Sequence, residues 1–586
     1  MAVWFIVKRR VALAGAVRFP SAGHQDTAEH AFMMFSEEHS HRVRLHHREL
    51  GDLGEATLTF GGETSVIADM GLFTVSPKLR SARSLDFVGA KTANGHTFTL
   101  CHCTIHESVI YATYLVCGDI TEDCFKRIEV RYSDISEWFL NRQHVDGKVG
   151  EQITWVRLVP HFSVEVTERG RQFTVSSQYH GSRNHIGEDY IVHEHVEFFF
   201  ETHDGGFHLE DVRRKTLDLA ALLSLLINYP ISVISVDVLT KSDRLYAAYF
   251  GTFEQFERDK SRNFLHQCFL QKHILDGRWA LILQKYFASD GLKELWVRLA
   301  GMLRYEGFWE YRLLAYVSLL DKYVNWHART AAVPNKWDEL QSEVVKIAPQ
   351  LEATVVKAIV KAAKSLLSHP SPFGRKYDFA IRQTDIDVLK IISISDAEFK
   401  LIKAVRDRIA HGEDPDVSED DFPRVHNVVS KIALLLTFWT FLDLGLERAD
   451  FLQALSSTHN KLRFSAPLDE MHLDRVTGTA TFYNVTPEKF KLLASLDRDF
   501  NAFPCLVEGE SGEIQPSRHY STILRDWHMN PSRQQGMFRL EEIFGVEKGA
   551  VRHASLVYIE SGSDTLRLFS VYIFYESKLQ NPTQAR

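Results

Sequence analysis

The spacing of apolar residues changes along the chain, and this change limits the folds open to it. Between about residues 57 and 213, apolar and polar residues alternate and Gly-containing turns interrupt them, which predicts an antiparallel sandwich or barrel-like domain. From 301 to 446, apolar residues recur every three or four positions, as expected of helices. After about residue 450 both patterns occur. The sequence therefore predicts a multidomain α+β protein.

Three domains follow from these patterns. We expect a β-rich N-terminal domain over residues 1–290, with a helical segment at 215–290 that begins with a buried helix near Leu217. A four-helix bundle is expected over 300–447, and a small α+β domain over 451–586. We assign no role to this last domain.

The helices of the bundle can be placed from the same spacing. Pro349 should interrupt the second helix, because proline lacks the amide donor and clashes with the preceding turn. The predicted helices cover residues 308–326, 338–347 with 350–367, 396–411, and 420–444. In the C-terminal domain we expect a helix at 484–496 and a hairpin formed by 556–559 and 566–574.

The charge balance restricts the possible partners. The chain has 68 Lys+Arg and 76 Asp+Glu, a net charge of −8, so any nucleic-acid contact must come from a local basic patch. Six Cys in 586 residues are too few for a disulfide scaffold and fit a reducing compartment. The most apolar stretch, 217–239, is interrupted by Asp218, Pro230 and Asp237, so we expect no membrane span. A cytoplasmic protein is the resulting expectation.

One short segment combines residues that can carry chemistry. Arg406 and His411 lie at the end of a predicted amphipathic helix, and Gly412 follows as a helix terminator. A second Arg–His pair at the same spacing, Arg42 and His47, lacks a helical apolar stripe. At about 100° per residue, Arg406 projects close to the apolar face, where a guanidinium needs an anionic partner. Asp407 is four residues before His411, so its carboxylate could orient the imidazole.

The Arg406-Asp407-x-x-x-His411 segment resembles the R-x4-6-H motif of HEPN domains. The ApeA-like branch of this family, which joins such a bundle to a β-rich N-terminal domain, is the best match. The segment 125–139, with Ile128, Val130 and Trp138, is similar to part of that N-terminal domain. The resemblance covers roughly residues 50 to 446, and it does not extend to the region after residue 450.

The resemblance implies an anti-phage, abortive-infection protein with metal-independent endoribonuclease activity and no cofactor. It also implies a homodimer formed through the bundle, with RNA as substrate; tRNA is expected by analogy, and the phage trigger is not identified. Arg406 would hold the phosphate, and His411 would act as the acid or base, with Asp407 at the second motif position. RNA supplies its own nucleophile, the 2′-hydroxyl, so the protein needs no catalytic Ser or Cys.

Candidate RNA contacts flank this motif. Lys357, Lys361 and Lys364 form a basic stripe at helical spacing, for which a solvated helix face is the simpler interpretation. Arg408 lies next to the motif. Six carboxylates between residues 413 and 421 oppose RNA binding, and capping of the following helix is their simpler role.

Two other functions remain open. Many HEPN relatives are inactive, so this chain could bind RNA or a partner without cutting. The second alternative is a metal-dependent activity in the N-terminal domain, because Cys101, Cys103 and His106 are residue types that bind zinc. Their spacing is not that of a zinc knuckle, so buried apolar roles for the cysteines are favoured. No G-x4-G-K phosphate loop is present, so we expect no nucleotide hydrolysis.

Overall fold

The predicted fold class is confirmed. The computed structural model contains a β-rich N-terminal region, a helical middle region and a small C-terminal α+β domain. It describes residues 42–45, 56–60, 63–67, 85–91, 97–106, 109–111, 113–140, 145–146, 154–155, 161–186, 189–202, 204–251, 264–330, 336–367, 373–496, 498–530 and 539–579.

The described part of the N-terminal region is built on a sheet of thirteen strands with antiparallel pairing. Strands β9 and β10 form a separate pair. The order in the sheet is β11-β12-β13-β8-β14-β15-β7-β5-β6-β1-β2-β3, with β4 beside β5. The strands are β1 (Arg42–Leu45), β2 (Ala56–Phe60), β3 (Glu63–Ile67), β4 (Leu85–Lys91), β5 (Thr97–His106), β6 (Val109–Tyr111), β7 (Tyr114–Cys117), β8 (Phe125–Tyr132), β9 (Val145–Asp146), β10 (Thr154–Trp155), β11 (Ser163–Glu168), β12 (Arg171–Ile186), β13 (Asp189–Glu201), β14 (Val233–Thr240) and β15 (Leu245–Phe250).

Helices occupy most of the chain between β15 and residue 465. Within the predicted bundle range of 300–447, two helices, Phe373–Gln383 and Ile386–Ile392, are absent from the sequence prediction, while the predicted interruption around Pro349 is present. The helices are α1 (Ile135–Leu140), α2 (Leu209–Ile227), α3 (Phe264–Gln267), α4 (Trp279–Ala288), α5 (Asp290–Gly301), α6 (Trp309–Thr330), α7 (Lys336–Ile347), α8 (Ala353–Leu367), α9 (Phe373–Gln383), α10 (Ile386–Ile392), α11 (Asp396–Ala410), α12 (Phe422–Leu444), α13 (Arg448–Ser457) and α14 (Lys461–Ser465), with 3₁₀ turns at Lys272–Leu275 and Met302–Arg304.

One face of the sheet packs on α2. Along β8, Phe125, Ile128, Val130 and Tyr132 are buried, and the Tyr132 hydroxyl donates a hydrogen bond to the backbone oxygen of Thr216, 2.7 Å away. From Ile128 to Tyr132 the alternation of β8 explains this arrangement, because successive side chains of a strand point to opposite faces. The intervening side chains, such as Glu129 and Arg131, lie on the other face.

A cluster of buried charges ties β11 to α2 and α5. The Glu168 carboxylate at the end of β11 accepts hydrogen bonds from Lys215 and from Lys293, the latter at 2.7 Å. Lys293 also pairs with Asp218. The Glu168 and Lys215 side chains are only 6% and 3% exposed. Burial acts to raise the pKa of Glu168, but the two lysines outweigh it and lower that pKa to about 2.

Helix α12 forms the core of the bundle. It ends at Leu444 and is capped by Gly445, whose φ of +93° is a conformation that glycine adopts readily. Trp439 stacks on Tyr323 of α6 with ring centroids 5.1 Å apart. α12 is long and apolar enough to cross a membrane, but 83% of its most apolar 18-residue window is buried in the protein. Its apolar surface is thus used mainly for packing between helices.

The chain divides into two compact units. The second consists of residues 384–393, 455–457 and 467–586. Its sheet has the order β16-β19-β20-β17-β18, and the predicted hairpin at its centre is confirmed. The predicted helix at 484–496 is shorter and follows a strand. Beside α10, the elements are β16 (Thr481–Asn484), β17 (Cys505–Glu508), β18 (Ile514–Pro516), β19 (Val551–Ser561), β20 (Asp564–Tyr575), α15 (Glu470–Thr477), α16 (Pro487–Ala494), α17 (Arg498–Ala502), α18 (Arg518–Met529), α19 (Leu540–Phe544) and a 3₁₀ turn at Glu576–Lys578.

Candidate active site

The sequence of helix α11 contains residues that favour helix initiation at one end and helix termination at the other. At its start, the Ser395 hydroxyl accepts a hydrogen bond from the Glu398 amide, and the Glu398 carboxylate accepts one from the Ser395 amide at 2.7 Å, forming a capping box. At its end, His411 is the C-cap residue and Gly412 has φ +75°. A residue with a Cβ is strained at such a φ, so Gly412 favours termination of the helix at this point.

Arg406 lies at the edge of the buried face of α11, as its spacing predicts. Its side chain is 22% exposed and is surrounded by residues of three helices. One terminal nitrogen donates a hydrogen bond to Asp407 at 2.9 Å, and the other is 3.5 Å from Asp321 of α6. The ring of Phe373, on α9, has its centroid 5.5 Å from the guanidinium carbon. These contacts hold the guanidinium in place.

One nitrogen of the Arg406 guanidinium, Nε, lacks a hydrogen-bond partner. Its Nε is buried and has no hydrogen-bond partner among the described residues. An unsatisfied buried donor is costly, and a phosphate oxygen that reached it would remove that cost. Two carboxylates already pair with the terminal nitrogens, so a phosphate would have to share or displace them.

His411 is exposed, and its imidazole has no hydrogen bond or ion pair with the described residues. The expected orientation of the imidazole by Asp407 is absent, because the Asp407 carboxylate accepts a hydrogen bond from Arg406 instead. His411 is the last residue of the helical turn, and its amide still donates a hydrogen bond to the backbone oxygen of Asp407 at 3.1 Å. The missing contact therefore reflects the side-chain conformations and not a loss of helical backbone. The imidazole is free to contact a substrate or a second chain.

The acidic segment after His411 binds Arg408. An Arg408 terminal nitrogen is 2.7 Å from Asp416, and its Nε is 3.9 Å from Glu413. Ser418 and Asp421 are hydrogen-bonded to each other before α12. Asp421 is the N-cap residue of α12, but its side chain makes no capping hydrogen bond, so the expected capping is not found. Arg408, which sequence analysis treats as an RNA contact, is therefore occupied by carboxylates in this conformation.

The basic stripe lies on α8. The Lys357 and Lys361 side chains are exposed, whereas the Lys364 side chain is outside the described residues. Exposure permits phosphate contact, and it also fits an ordinary solvated face.

The Cys and His residues around position 101 give no metal site among the described side chains. Cys101 is buried, while Cys124 contacts the backbone oxygen of Gly205 at 2.6 Å. The side chains of Cys103 and His106 lie outside the described residues. Within the described part of the chain, no group of three metal-ligand side chains includes a cysteine.

The N-terminal region matches a known family. Residues 22–286 match the model of ApeA N-terminal domain 1. This part of the chain is ApeA-like. No curated protein and no solved structure matches the chain. The ApeA-like region suggests a role in anti-phage defence, and the match ends before the bundle, so the likeness of the bundle to HEPN domains stays a prediction.

The sequence predicts that Arg406 needs an anionic partner, which Asp321 provides, but it does not predict the contact with Phe373. The pairing with Asp321 requires α6 and α11 to be neighbours, which the expected bundle implies. Phe373 begins α9, a helix that was not predicted at all. Pro370 and Pro372 directly precede it, and such residues are typical of a loop.

Proposed function

We propose that this ApeA-like chain is a metal-independent endoribonuclease of anti-phage defence, with Arg406 and His411 as its catalytic residues. One observation carries the proposal: a partly buried guanidinium with an unsatisfied Nε precedes, by five residues, an exposed imidazole at the end of the same helix. The pair combines a fixed cation for phosphate with a proton carrier that solvent or substrate can reach.

The proposed cleavage needs no nucleophile from the protein, because the RNA supplies its own 2′-hydroxyl. An imidazole takes the proton of the RNA 2′-hydroxyl, the 2′-oxygen bonds to phosphorus, and the bond from phosphorus to the 5′-oxygen breaks. An imidazolium then protonates the leaving 5′-oxygen. The guanidinium of Arg406 stabilises the charge that develops on the phosphate. The products are a 2′,3′-cyclic phosphate and a 5′-hydroxyl.

A homodimer would supply both proton roles. Each chain contributes one His411 to the motif, and two motifs facing one cleft provide a base and an acid. Asp407 would keep the guanidinium of Arg406 oriented, since these two side chains are hydrogen-bonded. We propose tRNA as the substrate and the N-terminal region as the part that controls when the bundle cuts.

The test is the chemistry of the RNA ends. Wild type and His411→Ala are induced in cells, and total RNA is sequenced by methods specific for 5′-hydroxyl and cyclic-phosphate ends. New ends of both kinds in wild type alone support the proposal. Ends that appear equally with both proteins, or that carry 5′-phosphate, contradict it. Purified protein assayed with EDTA tests metal independence directly.

A binding role without cleavage is the second candidate, and one observation favours it. Asp321 and Asp407 occupy both terminal nitrogens of Arg406, an arrangement in which the guanidinium holds helices together. A binding protein would retain RNA affinity and produce no new RNA ends. The sequencing experiment, combined with an RNA-binding assay, separates the two functions.

We expect the triple variant Lys357→Ala, Lys361→Ala and Lys364→Ala to bind RNA more weakly and with less dependence on salt. Each phosphate contact contributes about 0.7 to the slope of log K against log salt for single strands, so three contacts contribute about 2. Fluorescence anisotropy between low and moderate salt measures the slope.

The matched control removes three exposed lysines elsewhere, Lys400, Lys491 and Lys548. It should keep the wild-type slope. An equal change of slope in both triple variants would mean that the α8 stripe contributes only general charge.

A further inference from the structure

Three potential metal ligands converge on the polar face of the N-terminal sheet. His180 of β12 lies directly opposite His195 of β13 in the antiparallel register. Glu197 is two residues beyond His195, so its side chain points to the same face. The ligand atoms of His180, His195 and Glu197 all lie within 4.8 Å of one another.

The distances among these atoms are close to those of a zinc site. Nε2 of His195 is 3.0 Å from one Glu197 oxygen, and Nε2 of His180 is 3.1 Å from the other. The two imidazole rings are stacked, with centroids 5.2 Å apart and an interplanar angle of 11°. Two ligands of a tetrahedral zinc ion, each about 2.1 Å from the metal, are separated by roughly 3.4 Å. Small side-chain shifts would therefore bring all three to bonding distance.

One ring nitrogen of His180 lacks a well-formed hydrogen bond. Its Nε2 is buried and makes no hydrogen bond with good geometry among the described residues, although Glu197 is at ion-pair distance. A buried ring nitrogen without a hydrogen bond is unfavourable unless another group satisfies it. A metal ion bound to that nitrogen would do so.

The charges around the three residues partly favour a cation. Glu129 and Asp237 lie opposite each other on neighbouring strands of the same face, but Glu129 is paired with Arg127 and burial raises the pKa of Asp237 to about 7, so together they add less than two negative charges. Arg131 lies opposite Glu197 in the register, and its positive charge disfavours a bound metal ion. The His180 side chain is 37% exposed, so the cluster lies next to solvent although Nε2 itself is covered.

We propose that His180, His195 and Glu197 bind a Zn²⁺ ion that clamps β12 to β13. Two imidazoles and one carboxylate are a common zinc ligand set, and a water molecule would complete the tetrahedron. Mg²⁺ is not expected to bind, because it prefers oxygen ligands in octahedral geometry. The site uses none of the residues of the proposed nuclease and does not depend on that function.

The test is metal stoichiometry of the full chain. Protein is stripped with a chelator, incubated with Zn²⁺, desalted and measured by elemental analysis. We expect His180→Ala and Glu197→Gln each to hold one zinc ion per chain fewer than wild type. His193→Ala removes a histidine from the same strand and face but outside the cluster, and it should retain the wild-type content.

A second measurement covers variants that fold poorly. Zn²⁺ should raise the melting temperature of stripped wild type and His193→Ala but not that of folded Glu197→Gln, because a ligand that binds only the native state stabilises it. Equal zinc content in folded wild type, His180→Ala and Glu197→Gln would overturn the proposal. It would show that the three side chains form only an ion-paired cluster.

Discussion

Replacement of His411 by alanine is expected to slow RNA cleavage by about 10²- to 10⁴-fold, the usual contribution of a general acid or base. The imidazole is exposed and lacks hydrogen bonds to the described residues, so its removal should leave folding and RNA affinity nearly unchanged. Single-turnover cleavage by purified protein measures the rate, and loss of host toxicity on induction provides a cellular readout.

His426→Ala is the matched control. His426 is another exposed histidine of the same helical region; partial desolvation and the positive charges of Arg312 and Lys461 lower its pKa. Its removal should leave the cleavage rate unchanged. If His411→Ala cleaved RNA at the wild-type rate, or if both variants lost activity equally, the proposed catalytic role of His411 would be wrong.

The second large effect is on stability. Glu168→Gln is expected to lower the free energy of unfolding by about 3–5 kcal/mol, because it leaves Lys215 and Lys293 buried with one carboxylate fewer. Denaturant unfolding followed by circular dichroism measures the change. Glu294→Gln is the control, since Glu294 forms its ion pairs with Arg298 and Lys322 at the surface and its loss should not shift the transition.

The stability of Glu168→Gln should depend less on acidic pH than the stability of wild type does. The pKa of Glu168 is lowered to about 2 in the folded protein, below its value of about 4.3 in unfolded chains. Its stabilising contribution is therefore complete above about pH 5 and is lost as the pH falls toward 2. Wild type should lose more stability than Glu168→Gln over this range. Parallel loss in both proteins would contradict the role of the buried cluster.

The fold class could be predicted because periodicity is a local property. The alternation of β8 and the three-and-four spacing of α11 are visible in short windows and correspond to buried faces in the structure. Helices α9 and α10 were missed because they are short and because prolines and polar residues surround them. The length of β12, sixteen residues, was also missed, since its polar outer half lacks an apolar alternation.

The candidate site was predictable only in part, for the same reason. The end of α11 and the position of Arg406 on its face follow from residues within one helix. The contact of Phe373 with Arg406 depends on a neighbouring helix, and the pairing of Asp407 with Arg406 rather than with His411 depends on side-chain conformations that the sequence does not specify. His180 and His195 are fifteen residues apart and meet only through the register of β12 and β13.

The path of the chain around α10 affects how the protein can be dissected. Val388 and Ile391 of this short helix are fully buried in the second unit, and its Asp387 pairs with His472 at 3.1 Å. The helix that carries Arg406 begins four residues after α10 ends. Truncation near residue 450 would therefore strip the cover from an apolar segment directly upstream of the motif. Loss of function in such a shortened chain could therefore come from this exposed segment and would not show that the C-terminal part has a sensing role.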